Sequence, residues 1–202
     1  MALVRKKRRS DVSARERIVE AATRLFTERP FSEISADDIA REAGVAHGLT
    51  FHYFRSKAAL YELVTQAAAD RLDQIHAKAT RTGSPAEKLR SFLVVHLDQV
   101  YRRRVDYVFH TRGGGTAAIQ EIWEGSRSNA IRLILGFYGV AEPSPELAVA
   151  ARAWLGYYDE LVLAWVQGKI EAKTSVVEMA FQLFPLAIAN AKHLGETNIP
   201  LI

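Results

Sequence analysis

Cysteine is absent from this chain, which rules out disulfides, thiol nucleophiles and thiolate metal sites together. A cysteine-free chain fits a reducing compartment, and the cytoplasm is the expected location. Long apolar runs are missing as well. The longest uncharged apolar stretch, Met179 to Ala191, is too short to span a bilayer and contains Pro185 and Asn190, so no membrane is expected as a partner. The basic run from Arg5 to Arg9 has no apolar segment behind it, so no secretory leader is expected. No stretch alternates as a half-buried strand does, and no internal repeat is present.

Signatures of catalysis are also lacking. The six histidines are His47, His52, His76, His96, His110 and His193. No two of them flank a glutamate at the i, i+4 spacing of a helical zinc site. Gly113, Gly114 and Gly115 stand in a row, but no strand precedes them and no Gly-Lys-Ser/Thr follows, so they are not a phosphate loop. There is no Gly-x-Ser-x-Gly elbow and no dinucleotide fingerprint. An enzyme, a metal and a cofactor are therefore not expected. Three adjacent glycines in a helical chain are costly unless a sharp bend needs them.

What the chain does have is helical periodicity. Of its 202 residues, 49% are apolar, enough for a sizeable core. Ser13 with Glu16 makes a capping box for a first helix to about Glu28, with Ile18, Ala21, Ala22 and Leu25 on one face. Further helices are expected over about Ser56 to Thr80, Pro85 to Arg103, Asp106 to Thr111, Thr116 to Tyr138 and Pro145 to Gln167. A last one is introduced by a capping box of Ser175 and Glu178 and bent at Pro185. The fold class is all-α with about nine helices.

Charge is distributed unevenly. Residues 1–57 hold 12 Lys and Arg against 8 Asp and Glu, a net of +4, while residues 58–202 hold 15 of each. A basic module on a neutral body is the footprint of phosphate binding; without further signal it equally describes a solvated face and a basic tail. That further signal lies between Ile34 and Phe54. Ser35 is an N-cap with Asp38 three residues on, Ile39, Ala40 and Ala43 form an apolar side, and Gly44 follows where a helix end needs a left-handed residue. Val45 then opens a second short helix. Helix, glycine turn, helix is the unit whose second helix enters a DNA major groove.

The spacing of Ser35, Ile39, Ala40, Ala43, Gly44, Val45, Gly48, Tyr53, Phe54, Ser56 and Lys57 resembles the TetR family of bacterial transcriptional regulators. The resemblance covers about the first third of the chain. It implies a basic flexible arm (residues 1–9), a three-helix DNA-binding domain (10–55) and a helical ligand-binding and dimerisation domain (56–202). Implied partners are a double-stranded palindromic operator, a small-molecule effector and a second copy of the chain, with repression the commonest outcome. Candidate DNA contacts are Ser35, Ala46, His47, Gly48, Thr50, His52, Tyr53 and Lys57. His47 and Thr50 are placed at base edges, and Ser35 and Lys57 at phosphates beside two helix starts. Tyr53 matches a phosphate contact of the family. Of Leu49 and Thr50, one faces the core and the other the DNA, and the pattern does not choose. Ala46 stands where the family has Ser or Thr, which weakens the cap of the second helix. Phe51 stands where a tyrosine hydroxyl reaches a phosphate.

The family's ligand pocket lies among the middle helices. Candidates there are His96, Tyr101, Phe109, His110, Ile119, Trp123 and Tyr157, a lining suited to an apolar or amphipathic molecule. The family dimerises through its last two helices, and the candidates are Trp154, Tyr158, Leu161, Val162, Trp165, Val177, Phe181, Phe184 and Ile188. A different reading is a helical ligand-binding or interaction module whose DNA binding has weakened, since Ala46 and Phe51 depart from the pattern.

Overall fold

The computed structural model describes residues 13–192; the basic arm lies outside them. Among the described residues there are nine α-helices and no strand. In chain order they are α1 (Ala14–Glu28), α2 (Ala36–Ala43), α3 (His47–Tyr53), α4 (Lys57–Ala79), α5 (Pro85–Arg102), α6 (Arg104–Thr111), α7 (Ala117–Phe137), α8 (Pro145–Val166) and α9 (Lys173–Lys192). A 3₁₀ turn, Phe31–Glu33, precedes α2. The chain divides into two compact units, residues 1–66 and 67–202, and the division falls inside α4.

Helix starts follow local side-chain chemistry. Ser13, Ser35 and Ser84 form reciprocal capping boxes with Glu16, Asp38 and Glu87. Thr116 and Ser144 cap α7 and α8 with their hydroxyls. Such caps are each worth about 1 kcal/mol. One expected box is not there: α9 begins at Lys173, so Ser175 lies inside the helix. Glu178 instead meets Arg90 of α5, whose guanidinium also lies 3.8 Å over the Phe181 ring. The tertiary partner outweighs the local box.

In the first unit, Ile18, Ala21, Ala22 and Phe26 of α1 are fully buried with Ile34, Ile39 and Leu60. Phe26, Phe31 and Tyr61 close the base of this core, with ring centroids 4.8 to 5.9 Å apart. Each such buried aliphatic or aromatic side chain contributes roughly 1.5–3 kcal/mol by leaving water.

In the second unit, α8 packs along α9, and both share a core with α5 and α7. Trp154 and Tyr158 sit at its centre. Each keeps its polar end satisfied: the Trp154 indole donates to the Ala180 carbonyl at 2.8 Å and the Tyr158 hydroxyl to the Leu93 carbonyl at 3.2 Å. The glycine triplet ends α6. Gly113 and Gly115 have φ of 80° and 106°, which side chains avoid. A Cβ on Gly114 would sit 2.6 Å from the Phe109 carbonyl oxygen. All three positions need glycine, and the sharp bend is real.

Candidate nucleic-acid interface

The turn between α2 and α3 is set by backbone geometry. Gly44 adopts φ 62°, ψ 41°. Its N–H donates to Arg41 at 3.2 Å, and the next N–H, of Val45, reaches back to Ala40 at 3.0 Å. This paired closure satisfies two carbonyls that a helix end leaves open. Arg17 of α1 donates to two more, of Ala43 and Gly44, at 3.4 and 3.2 Å. The angle at which α3 leaves α2 is therefore held by one glycine and one arginine.

α3 turns His47, Gly48, Phe51 and His52 outward, with Tyr53 exposed at its end. Spacings of one, four and five residues put the first four on one face. Thr50 is on the opposite side, 2% exposed. The assignment of Thr50 to a base edge is thereby corrected: it occupies the apolar position of a 3.6-residue repeat, and partly buried Leu49 flanks it. Its hydroxyl oxygen has no hydrogen-bond partner. Ala46 is the N-cap and makes no side-chain cap bond. His47 Nδ1 lies against the Asp37 carboxylate of α2, and its ring meets Phe51 edge-on at 5.5 Å. Phe51, passed over as a site in the sequence for want of a hydroxyl, is the large apolar group of this face. A Cβ added to Gly48 would meet no atom within 4 Å, so nothing inside the protein requires glycine there.

The two phosphate candidates have work inside the fold. Ser35 spends its amide and hydroxyl on the Asp38 carboxylate at 2.9 and 2.7 Å, and these bonds hold the Asp38 carboxyl below its usual range. Lys57 donates to the carbonyls of Phe31 and Ile34 at 2.9 and 2.7 Å and lies 4.0 Å over the Phe31 ring. Two of its three ammonium protons are thus used in pinning the 3₁₀ turn to α4. The charge is also placed more narrowly than the +4 of residues 1–57 implies. Residues 13–57 hold seven Lys and Arg against seven Asp and Glu. The excess lies entirely before them, in Arg5 to Arg9 less Asp11.

The model of bacterial regulatory proteins of the tetR family matches residues 18–64, which take in most of α1, then α2, α3 and the start of α4. A crystal structure of a tetR-family transcriptional regulator from Streptomyces coelicolor superposes with a TM-score of 0.81 at 27% identity, covering 89% of this chain and 82% of that one. Residues 18–64 thus carry the DNA-binding pattern of the TetR family. Among curated members, the transcriptional regulator AcrR of Shigella flexneri is 27% identical over 115 residues, 54% of each chain. This chain thus spans about half the length of AcrR. The transcriptional repressor BepR of Brucella suis is 24% identical over 186 residues, 82% of this chain and 87% of that protein.

In the second unit the middle-helix candidates separate into two groups. His96, His110 and Trp123 gather around Tyr107 of α6. Trp123 meets Tyr107 at 5.5 Å and His110 at 5.7 Å, and His96 lies 6.2 Å from Tyr107. Ile119 is buried under Gly115. Tyr101 and Phe109 face solvent and Tyr157 lines a groove on the outer side of α8 and α9, so these three leave the interior set. They are candidates because the resembled family's pocket lies among these helices, and place in the chain does not fix which side of a helix a residue takes.

Several polar partners in the interior escaped the sequence reading, His76, Tyr107, Arg127 and Asp159 among them. His96 Nδ1 lies 3.4 Å from His76 Nε2. Asp159 accepts from the Tyr107 hydroxyl at 2.9 Å and pairs with Arg127, linking α6, α7 and α8. The heptad-like placement of Arg127 four residues after Trp123 was the available signal.

The dimer candidates need a larger correction. Trp154, Tyr158, Leu161, Val162, Val177, Phe181, Phe184 and Ile188 are all buried within the single chain, and residues with so little accessible area give little to a partner. Trp165 is partly buried and packs on Tyr101 at 5.5 Å. The outer apolar stripe is a different one, with Val149 69% and Leu186 63% exposed beside Ala150, Ala153, Tyr157 and Leu183.

Proposed function

We propose that this chain is a DNA-binding transcriptional regulator, a cytoplasmic repressor released from a palindromic operator by a small apolar or amphipathic ligand. The observation that carries the reading is the outer face of α3. It presents His47, Phe51 and His52 around a glycine that the fold itself does not need, at the end of a turn held rigid by Gly44 and Arg17. A helix-interior glycine costs about 0.5–1 kcal/mol, and close approach by a partner is what offsets it. The named relatives are regulators and a repressor, which supports the same reading. Residues 10–55 act as the DNA-binding domain, 56–202 as the ligand-binding and dimerisation domain, and residues 1–9 as a basic arm on phosphates.

One recognition helix reads few bases, so a long operator calls for two copies related by a two-fold axis. The outer groove of α8 and α9, lined by Val149, Ala150, Ala153, Tyr157, Leu183 and Leu186, is the face on which they meet. The ligand occupies the aromatic interior around Tyr107, and α4, whose residues belong to both units, carries the effect to α3. A coupling of about 1–3 kcal/mol suffices for a regulator.

A gel shift against the chain's own upstream region tests this reading, followed by a screen of hydrophobic and amphipathic compounds for release of the complex. Tight, sequence-selective binding that weakens with salt is expected. Removing residues 2–9 takes away five cations from each copy and should lower the slope of log affinity against log salt by about 4 to 5 per bound copy. Equal binding to a scrambled duplex, or none, would contradict the assignment.

A further inference from the structure

The outer face of α3 carries one side chain that cannot hydrogen-bond to anything. Phe51 is 48% exposed at the centre of a surface that otherwise consists of His47, Gly48, His52 and the terminal Tyr53. Its ring has one aromatic neighbour on this face. The His47 imidazole stands against it at 5.5 Å with the planes 70° apart, and the imidazole is itself tied to Asp37 on the preceding helix. On the turn below, Gly48 leaves open space where any other residue would place a side chain. The phenyl therefore projects, braced on one side and unobstructed on the other.

A phenyl has no donor or acceptor, so it reads none of the polar groups on base edges and holds no phosphate oxygen. In the major groove one base-edge group is apolar, the C5-methyl of thymine. We propose that Phe51 is a specificity-determining residue that packs on a thymine methyl, with the Asp37–His47 contact fixing the ring for it. This rests on the DNA-binding reading given above and adds to it a base preference and the group that enforces it.

The test alters the DNA before it alters the protein. Duplexes bound by the full-length chain are selected from a random-sequence pool. Each thymine of the selected site is then replaced by deoxyuridine, which removes the methyl alone. At one or more positions uracil should weaken wild-type binding about fourfold, the factor for losing one buried carbon from water-excluded contact. The same replacement should cost Phe51→Ala nothing. The inference is overturned if no uracil weakens the wild type, or if the sensitive position costs Phe51→Ala as much. A pool that yields no enriched sequence would instead overturn the DNA-binding reading itself. The wild-type arm does not depend on how any variant folds, and the half-exposed position of Phe51 leaves the core untouched in the variant.

Discussion

Thr50 places a hydroxyl in the core of the first unit with no partner for it. A buried unsatisfied donor costs about 1–3 kcal/mol, so Thr50→Val should stabilise the chain by about 1 kcal/mol. Urea denaturation of the two proteins measures this, and a destabilised valine variant would mean that the hydroxyl has a partner after all. The same residue shows where sequence reading stops. A seven-residue helix offers about two turns of periodicity, too little to decide between Leu49 and Thr50, and a threonine in an apolar slot looks like a surface residue. Lys57 was legible as a cation at a helix start but not as the clamp on Phe31 and Ile34, because those carbonyls lie 26 and 23 residues away along the chain.

Elements were far more legible than faces. Capping serines, the prolines at the starts of α5 and α8, and the glycine at the end of α2 are local signals, and they fixed most helix ends to within a residue or two. Which side of a helix points inward is a tertiary property. α8 is apolar over two stripes: Leu147, Ala151, Trp154, Tyr158 and Val162 point into the core, while Val149, Ala153 and Tyr157 point out. Size misleads here, since the largest rings are the ones the chain buries for itself. The outer stripe is the one to disrupt. Leu186→Glu should convert a dimer to monomer by light scattering with the fold retained, because Leu186 is exposed in the single chain. Phe184→Glu should unfold the second unit, because Phe184 is 1% exposed and a charge cannot be buried unpaired. A monomeric wild type at micromolar concentration would remove the two-fold pairing.

For the whole molecule, stability against acid is set by the interior histidines. Burial pushes His76 down to about 4; burial, with His76 and Arg127 nearby, pushes His96 down to about 3. An unfolded histidine titrates near 6.5. Between about pH 6.5 and 4 the unfolded chain takes up protons that the folded chain refuses, so stability is full above pH 6.5 and falls below it. His76 alone should account for ~2 kcal/mol by pH 5. The carboxyls held low by caps and ion pairs, such as those of Asp38 and Glu178, add their loss only at lower pH. Denaturation at pH 7.5 and 5 should show this drop in the wild type and a smaller one in His76→Gln; equal stability at the two values would contradict a buried neutral ring.

Function also lives at this scale, in how a neutral folded module and a cationic arm act on one duplex. In the proposed regulator the cations of Arg5 to Arg9 supply attraction that is indifferent to sequence, and the face of α3 supplies the reading. The most direct test introduces a carboxylate into the open space at Gly48. A Cβ at Gly48 meets no protein atom within 4 Å, and Gly48→Glu replaces a poor helix former by a good one, so the free chain should be more stable by about 0.5–1 kcal/mol. In anisotropy titrations with the duplex from its own upstream region, the wild type should bind and the variant should bind on the order of 100-fold more weakly, the cost of a like charge facing the groove. A Gly48→Glu chain that binds this duplex as tightly as the wild type would show that α3 does not face the DNA.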